Sequence, residues 1–314
     1  MISTATVVAL LDHSAEANSV WVSSRSLLAK DVPSMLHTVH VVEEMSAAMQ
    51  RYLFPYACFG DDHDAVVSDM LSAGRAAMRR RFKGQKEFDD RFLRVVYGRV
   101  ADRALKELET LGPDLVVVGA SSSEHPEIGV VGKNASRIAR RARTPVLVVR
   151  EKIVRPYRRM GVAVDLGRDS ASLLGAGIDF AHQRGASLVP IHVLPTMASR
   201  DHRALESSAK ETLSEKAKRD LDRRYNQILS SLSLPFPVQQ DVQEVLQQAQ
   251  LQQGDPGEGL VEYCRAADID LLIMYRCRSS SGSGLRLGRV AEYALRYAPC
   301  DVLVLPPPIL QDAS

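Results

Sequence analysis

Two aspartates, Asp12 and Asp165, each follow a short aliphatic run, TVVALL in the first case and GVAV in the second. A carboxylate at the end of such a strand can hydrogen-bond a ribose hydroxyl or an amine. Two segments rich in Ser and Gly, Gly119–Ser136 and Tyr275–Glu292, each lead directly into a helical pattern. Because free backbone N–H groups at a helix N-terminus bind anions, both segments are candidate anion sites.

The elements that would position these residues alternate between strand and helix, which predicts βαβ units and a parallel sheet covered on both faces. In an open parallel sheet, ligands bind outside the carboxyl ends of the strands. The first half predicts strands at Val7–Leu11, Thr38–Val42, Leu93–Tyr97, Leu115–Val118 and Val146–Val149, and helices at Glu16–Ala29, Asp64–Lys83, Ala101–Leu111 and Lys133–Arg143.

The chain contains an internal repeat. Residues Gly98–Val149 align without a gap with Gly254–Leu305, at a constant offset of 156 residues. A chance similarity would not keep glycines and apolar runs in the same order, so the pattern indicates a duplication. The second copy predicts strands at Gly161–Val164, Ser187–Val193, Pro237–Val242, Leu271–Met274 and Val302–Leu305, and a long helix at Ala204–Leu232.

Two segments interrupt the repeat. The first copy carries an aromatic segment, RYLFPYACFGDDHD, between its second strand and its long helix. We favour packing of this segment on the long helix over a role as a lid. The second copy carries a glutamine-rich insert, EVLQQAQLQQGDPGEG, whose composition predicts a mobile solvated loop or short helix.

The bulk properties suit a two-domain globular protein. A length of 314 residues, with 45% hydrophobic and 25% charged residues, predicts two domains, at 1–152 and 157–308. The net charge of +2 gives no strong attraction to nucleic acid or to a membrane. The N-terminal apolar run lacks a basic lead-in and a cleavage pattern, so it is interpreted as a strand and not a signal peptide. The 4 cysteines show no metal-type spacing, which favours a reducing cytoplasm.

The sequence resembles the universal stress protein family. The resemblance covers nearly the whole chain, once in each copy, and is most specific at the strand ends. The likeness lies in DHSAEANS after the first strand, the HVV and HVL ends of the second strands, and DLVVVG followed by a loop, a helix and PVLVV. The resemblance implies two doubly wound α/β domains with five-stranded parallel sheets, like those of the adenine nucleotide alpha hydrolases. It also implies that the fifth strands pair across the copies, so that one chain forms a pseudo-dimer.

Members of this family that bind ATP carry a loop of the form Gly-x-x-Gly-(nine residues)-Gly-Ser/Thr. The resemblance implies adenine near the valine of strand two and phosphates on this loop. In the first copy Ser122 replaces the second glycine and Lys133 replaces the Ser/Thr. Because glycine permits positive φ and close backbone approach, Ser122 suits this loop less well. The lysine could instead supply charge to a phosphate.

The second copy departs further, since only Gly288 of the three glycines remains, beside Tyr275, Arg278 and Arg289. The first copy is therefore the better candidate for ATP, ADP or AMP, and the second is expected to be degenerate or adapted to another anion. The candidate binding residues are Asp12, Val41, Val118, Gly119, Ser122, Gly132, Lys133 and Asn134 in the first copy, and Asp165, Val193, Gly288 and Arg289 in the second.

The resemblance implies a stress-response sensor or adaptor that binds a nucleotide and acts through an unknown protein partner. It is also compatible with a homodimer. A nucleotide-free interaction protein of the same fold is the alternative. A hydrolase or transferase of the wider adenine-binding group is a third class, but no motif supports it. No residue is a clear base for water, so we expect at most slow ATP hydrolysis.

Three other groups of residues have simpler interpretations. His37 and His40 point to opposite faces of a strand, which argues against a shared metal, and the match of His40 with His192 indicates a repeated structural role. The basic run from Arg75 to Lys86 is interpreted as the solvated face of a helix and not as a nucleic-acid patch. The neighbours Asp12, His13 and Ser14 do not have the spacing of a catalytic triad.

Overall fold

The computed structural model describes residues 4–29, 32–46, 48–49, 61–85, 88–120, 131–150, 155–167, 169–195, 219–220, 223–224, 227, 250–278 and 285–307. The chain divides into two compact units, Ser3–Val154 and, in the main, Arg155–Ser314. We refer to them as the first and the second unit. No helix in these described ranges is both long enough and apolar enough to cross a bilayer.

The first unit alternates strands and helices along its length. Its strands are β1 (Thr6–Leu10), β2 (Met35–Glu43), β3 (Leu93–Gly98), β4 (Leu115–Gly119) and β5 (Val146–Val149), and its helices are α1 (Ala17–Ser26), α2 (Asp61–Phe82), α3 (Val100–Leu111) and α4 (Lys133–Arg141). The strands are arranged in the order β3-β2-β1-β4-β5, and every pair within the unit is parallel.

This order changes direction at β1, which places α1 and α2 on one face of the sheet and α3 and α4 on the other, because parallel crossovers are right-handed. The aliphatic residues of β4 and β5 are all buried, as expected for a strand covered on both faces. On the α1–α2 face, the ring of Trp21 lies 5.4 Å from that of Phe82 and 5.6 Å from that of Phe88.

The second unit repeats this plan. Its strands are β6 (Arg159–Ala163), β7 (Ser187–Pro195), β8 (Gln250–Gly254), β9 (Leu271–Tyr275) and β12 (Asp301–Leu305), a short hairpin is formed by β10 (Cys277–Arg278) and β11 (Leu285–Arg286), and its helices are α5 (Ser170–His182), α6 (Pro256–Ala266) and α7 (Arg289–Tyr297). The order β8-β7-β6-β9-β12 matches that of the first unit, and all of these pairs are parallel. The predicted α/β class with parallel sheets is therefore confirmed.

One prediction for the second unit is wrong. The glutamine-rich insert was expected to be a solvated loop or short helix, but Gln250–Gly254 forms β8 and pairs with β7. The physical reason is that backbone pairing with β7 satisfies the peptide groups whatever the side chains are. The predicted strand at Pro237–Val242 lies outside the described residues, as do the aromatic residues at 52–59 and all but a few residues of the helix at Ala204–Leu232.

Asp114 and Asp270, which occupy matching positions of the repeat just before β4 and β9, have a structural role at the amino ends of the strands. Asp114 Oδ2 accepts a hydrogen bond from the backbone N–H of Thr6, at 2.9 Å. At the matching position, Asp270 Oδ2 accepts from the N–H groups of both Arg158 and Arg159, at 2.7 and 2.9 Å. Asp114 therefore ties the start of β1 to the start of β4, and Asp270 ties the start of β6 to that of β9.

Candidate functional site

Two of the predicted residues, Asp12 and Val41, lie in one row across the first sheet, together with Ala120. Leu10 of β1 pairs with Val39 of β2 on one side and with Val118 of β4 on the other. Two residues beyond these partners come Asp12, Val41 and Ala120. Adjacent strands lie about 4.8 Å apart, so these three residues are neighbours at the carboxyl edge. This is the point where the strand order reverses, which is where ligands bind in this class of fold.

Asp12 is exposed, and its side chain is oriented by its own loop. Its Oδ1 accepts hydrogen bonds from the backbone N–H of Ser14, at 2.9 Å, and from the Ser14 hydroxyl. Within the described part of the chain its second oxygen, Oδ2, accepts no hydrogen bond. The arrangement leaves one carboxylate oxygen open to a hydroxyl or amine donor of a ligand. Because both Ser14 contacts are local, they form a turn and not a proton-relay triad.

Arg81 braces this loop from α2. Its Nη2 donates to the backbone carbonyl of Ser14 at 2.6 Å, and its Nε lies 3.3 Å from the side-chain oxygen of Asn18. The basic run on α2 was interpreted as a solvated face, yet this member of the run positions the Asp12 turn. Sequence reasoning missed the contact because 67 residues separate Arg81 from Ser14.

His40 lies directly beneath the same turn. Its Nδ1 is 2.8 Å from the carbonyl oxygen of Leu11, and its ring centroid is 4.7 Å from that of His13. Burial lowers the pKa of His40, while the hydrogen bond to Leu11 acts in the opposite direction. His192 makes the matching contact in the second unit, 2.7 Å to the carbonyl of Val164. Both histidines thus support the residue that precedes the site aspartate, which confirms the predicted repeated role.

Helix α4 begins beside the end of β4. The backbone N–H of Gly132 donates to the carbonyl of Ala120 at 2.7 Å, and the N–H of Ala120 donates to Val149 at 2.8 Å. Gly132 is the N-cap of α4, and no side chain caps this helix. The exposed residues Lys133 and Asn134 therefore present first-turn amides at the edge that carries Asp12. Ser122 lies outside the described residues.

Val118 and Gly119, the last two residues of β4, lie at the same edge. Val118 is buried, whereas Val41 on β2 is half-buried. A side chain at Gly119 would meet Cβ of Glu16 and Cγ2 of Val20, each at 3.5 Å. The glycine therefore keeps open a space between β4 and the start of α1.

The second unit has the matching row of residues at the carboxyl edge of its sheet, with a different residue in the third position. The pairings of Ala163 with Ile191 and of Val162 with Ile273 place Asp165, Val193 and Arg276 side by side. Asp165 Oδ1 accepts from the N–H of Gly167 and the hydroxyl of Ser170, both at 2.8 Å. The aspartate geometry is thus preserved between the two units.

Two large side chains occupy the positions that are small in the first unit. Tyr275 replaces Gly119, and burial raises its pKa to about 12, so that it stays neutral. Arg276 replaces Ala120, is 1% exposed, and its burial lowers its pKa to about 10. The constant repeat offset could have identified Arg276, because it aligns this residue with Ala120. Both positions therefore carry much larger side chains than Gly119 and Ala120 do in the first unit.

The end of the second loop also differs. Cys277–Arg278 and Leu285–Arg286 pair as two short antiparallel strands, so their backbone groups are engaged with each other. Arg289 at the start of α7 is exposed, and its Nη2 lies 3.9 Å from Asp255, the N-cap of α6. Gly288 keeps its place as the N-cap of α7. The predicted residues Gly288 and Arg289 are therefore at the helix start, shortly after β11.

No group of three or more metal-binding side chains occurs in the described ranges. His37 packs against Phe92, with a ring separation of 5.2 Å, and is half-buried, whereas His40 is buried under the Asp12 turn. The two histidines thus have different surroundings.

These features define a duplicated, doubly wound α/β protein whose first unit has an open edge at the strand reversal. The chain belongs to the universal stress protein family, whose family model matches residues 5–150 and again 156–306. The doubled family assignment agrees with the repeat and with the two units.

Individual proteins match either one half or the whole chain. A universal stress protein from Methanothermobacter thermautotrophicus is 26% identical over 152 residues, which covers 48% of this chain and 96% of that protein. A putative universal stress protein from Pseudomonas aeruginosa shares the fold over 96% of this chain and 93% of its own, with 16% identity and a TM-score of 0.62. One from Archaeoglobus fulgidus covers 98% and 97% respectively, with 13% identity and a TM-score of 0.58.

Proposed function

We propose that the first unit binds an adenine nucleotide, ATP, ADP or AMP, and that the chain acts as a cytoplasmic stress-response sensor or adaptor. The observation that carries the proposal is the row at the strand reversal. It sets the open carboxylate oxygen of Asp12 beside the uncapped start of α4. A ribose hydroxyl can donate to the carboxylate, and phosphates can accept from the helix amides.

Each candidate residue has a role in this proposal. Asp12 holds the ribose, and Val41 and Val118 contact the adenine. Gly119 keeps the space beside Glu16 and Val20 open, and the N–H groups at Gly132–Asn134 bind phosphate. The Lys133 side chain, which replaces the Ser/Thr of ATP-binding relatives, adds a positive charge. Ser122 would complete the loop.

The second unit is proposed to bind no nucleotide. Tyr275 and Arg276 stand where the first unit has Gly119 and Ala120, and the backbone of Cys277–Arg278 is paired with that of Leu285–Arg286. The two copies, taken as domains 1–152 and 157–308, would then have different tasks, ligand binding in the first and partner or dimer contacts in the second. We propose no dedicated enzymatic activity and at most slow ATP hydrolysis.

The experiment is mass spectrometry of the nucleotide released when freshly purified protein is denatured. We expect adenine nucleotide at close to one per chain. Asp12→Ala should remove it, because a hydrogen bond to a charged group is worth about 1.5–3 kcal/mol, or roughly ten- to a hundredfold in affinity. Asp165→Ala is the matched control, since it removes the same group from the second unit, and it should leave the nucleotide in place.

An empty extract, together with no thermal shift on added ATP, would contradict the proposal. The second candidate function, a nucleotide-free interaction protein, would then stand. The observation that favours it is that Lys133 and the changes around Tyr275 depart from the loop of ATP-binding relatives. A phosphate-release assay with excess ATP separates both from the enzyme class, which requires sustained turnover abolished by Asp12→Ala.

A further inference from the structure

A basic pocket lies at the edge of the first unit opposite to the one that carries Asp12. It has a volume of about 320 Å³ and is lined by Arg79, Arg80, Lys83, Phe88 and Asp90. Helix α2 ends at Phe82 and β3 begins at Leu93, so the pocket lies at the amino end of β3. The nucleotide edge lies at the carboxyl ends of the same strands.

The charges in this pocket do not cancel. Asp90 is shared by two guanidinium groups, since Arg79 Nε donates to it at 2.7 Å and Arg75 Nη1 at 3.3 Å. The hydrogen bond from Arg79 lowers the pKa of Asp90, so the carboxylate remains ionised. Arg80 and Lys83 are exposed and have no ionic partner in the part of the chain that the structure describes. The pocket therefore has an excess of positive charge.

The walls of the pocket are held in place. Arg75 Nη2 also donates to the carbonyl of Leu93 at 3.0 Å, which anchors the cluster to the start of β3. Phe88 stacks on Phe82 with a ring separation of 5.7 Å and meets the edge of Trp21 at 5.6 Å. A fixed guanidinium and a supported aromatic ring thus face one small volume.

A stability role offers a simpler explanation for the cations. Arg79 and Arg80 lie in the last turn of α2, where positive side chains interact favourably with the carbonyl end of the helix. That role requires neither a pocket nor an aromatic wall. It predicts that removing the cations lowers stability and changes no binding.

We propose that this pocket binds the phosphoryl group of a small organic phosphate. Arg80 and Lys83 contact the phosphoryl oxygens, and Arg79, oriented by Asp90, supplies a third set of donors. Phe88 contacts the apolar part of the ligand. The proposal does not depend on nucleotide binding at Asp12.

The test is isothermal titration of the full chain with phenyl phosphate. Arg80→Gln/Lys83→Gln should weaken binding by about tenfold or more, the effect of losing charged hydrogen-bond donors. The control is Lys106→Gln/Arg143→Gln, which removes the same charge from exposed positions away from the pocket. It should change the dissociation constant by less than about twofold, the scale of screened charges at long range. Thermal unfolding confirms that each variant is folded.

Two further variants test where phenyl phosphate binds and whether its ring contributes to binding. Phe88→Leu should weaken phenyl phosphate more than inorganic phosphate, because only the former has a ring to contact. Asp12→Ala should bind phenyl phosphate as the wild type does, so failure of the nucleotide proposal leaves this result intact. No saturable binding by the wild type, or an equal loss in the two double variants, would overturn the phosphate site.

Discussion

At the scale of single residues, the Asp12 turn depends on two side chains from other elements that hold its backbone. His40 supports the carbonyl of Leu11, and Arg81 supports the carbonyl of Ser14, so the turn that carries Asp12 is held from two sides. His40 is 4% exposed, and burial dominates its environment. Because burial penalises the charged ring, protonation of His40 is coupled to unfolding.

This coupling predicts a pH dependence of stability. The pKa of His40 lies below its ordinary value of 6.5 in the folded chain. Between 6.5 and the lowered value, the unfolded chain binds a proton that the folded chain does not, so the free energy of unfolding falls as pH falls. The contribution is fully present above pH 6.5. Urea unfolding at steps from pH 8 to pH 5 should show this loss, and His40→Gln should flatten it.

The comparison isolates His40, because His37, whose pKa is also lowered, is present in both proteins. Val39→Ala is the control, since it destabilises the same strand without removing a titrating group. It should unfold more easily at every pH and keep the wild-type slope. A His40→Gln profile parallel to that of the wild type would show that the buried imidazole does not cause the pH dependence.

At the scale of elements, backbone pairing prevails over composition in β8. Gln250–Gly254 has few residues that favour strands, yet it pairs in parallel with Ile191–Pro195. The repeat offset of 156 residues maps β3 onto this segment, and the structure follows the offset. The prediction of a loop used only the residues of the segment itself, and these carry no information about its pairing with β7.

Proline substitutions in β8 test this assignment. In a strand with a single partner, successive N–H groups point alternately toward the partner and away from it. Gln252→Pro and Gln253→Pro should therefore differ, with one losing a ladder hydrogen bond at a cost of about 1–3 kcal/mol in urea unfolding and the other costing much less. Equal and small effects at both positions would show that the segment is a loop, as its composition suggests.

Helix α2 packs on the sheet through a glycine. A Cβ at Gly74 would lie 2.9 Å from Cγ2 of Val42 and 3.3 Å from Cγ1 of Val95. Gly74→Ala gains about 1 kcal/mol of helix propensity. Overpacking against stiff β-branched side chains costs about 1–3 kcal/mol, so we expect net destabilisation in thermal unfolding. Ser72→Ala, at an exposed position of the same helix, should be neutral or slightly stabilising, and a stabilised Gly74→Ala would contradict close packing here.

Most strands and the edge that carries Asp12 could be predicted from the sequence, whereas two arginines could not. The strands were predicted from aliphatic runs. The strand Val146–Val149 has its predicted limits, because Pro145 precedes it and all four of its residues are apolar and buried. Asp12, Val41 and Gly132 were placed at one edge by the rule that parallel strands end together. Arg81 and Arg276 were missed, because their roles depend on contacts between distant segments or on burial that a charged residue does not signal.

At the scale of the whole molecule, duplication has produced two units with the same order of strands and different edges. The aspartate turn and the supporting histidine persist in both units. The small residues beside them persist only in the first, where Gly119 and Ala120 stand in place of Tyr275 and Arg276. The residues at this edge can differ between the units while the fold stays the same, because the order of the paired strands does not depend on them.

The pairing of the fifth strands across the copies stays a prediction. Val146–Val149 and Asp301–Leu305 each end the strand order of their unit, and apolar edge strands of this kind need cover. We expect separately produced fragments 1–152 and 157–308 to associate one to one, as measured by sedimentation velocity. Leu147→Lys should abolish the association, because it places a charge in a buried strand, whereas Lys106→Glu on an exposed helix should not. Two fragments that are folded by circular dichroism yet sediment separately would rule out this pairing, and would leave the full-length chain as two independent domains on a linker.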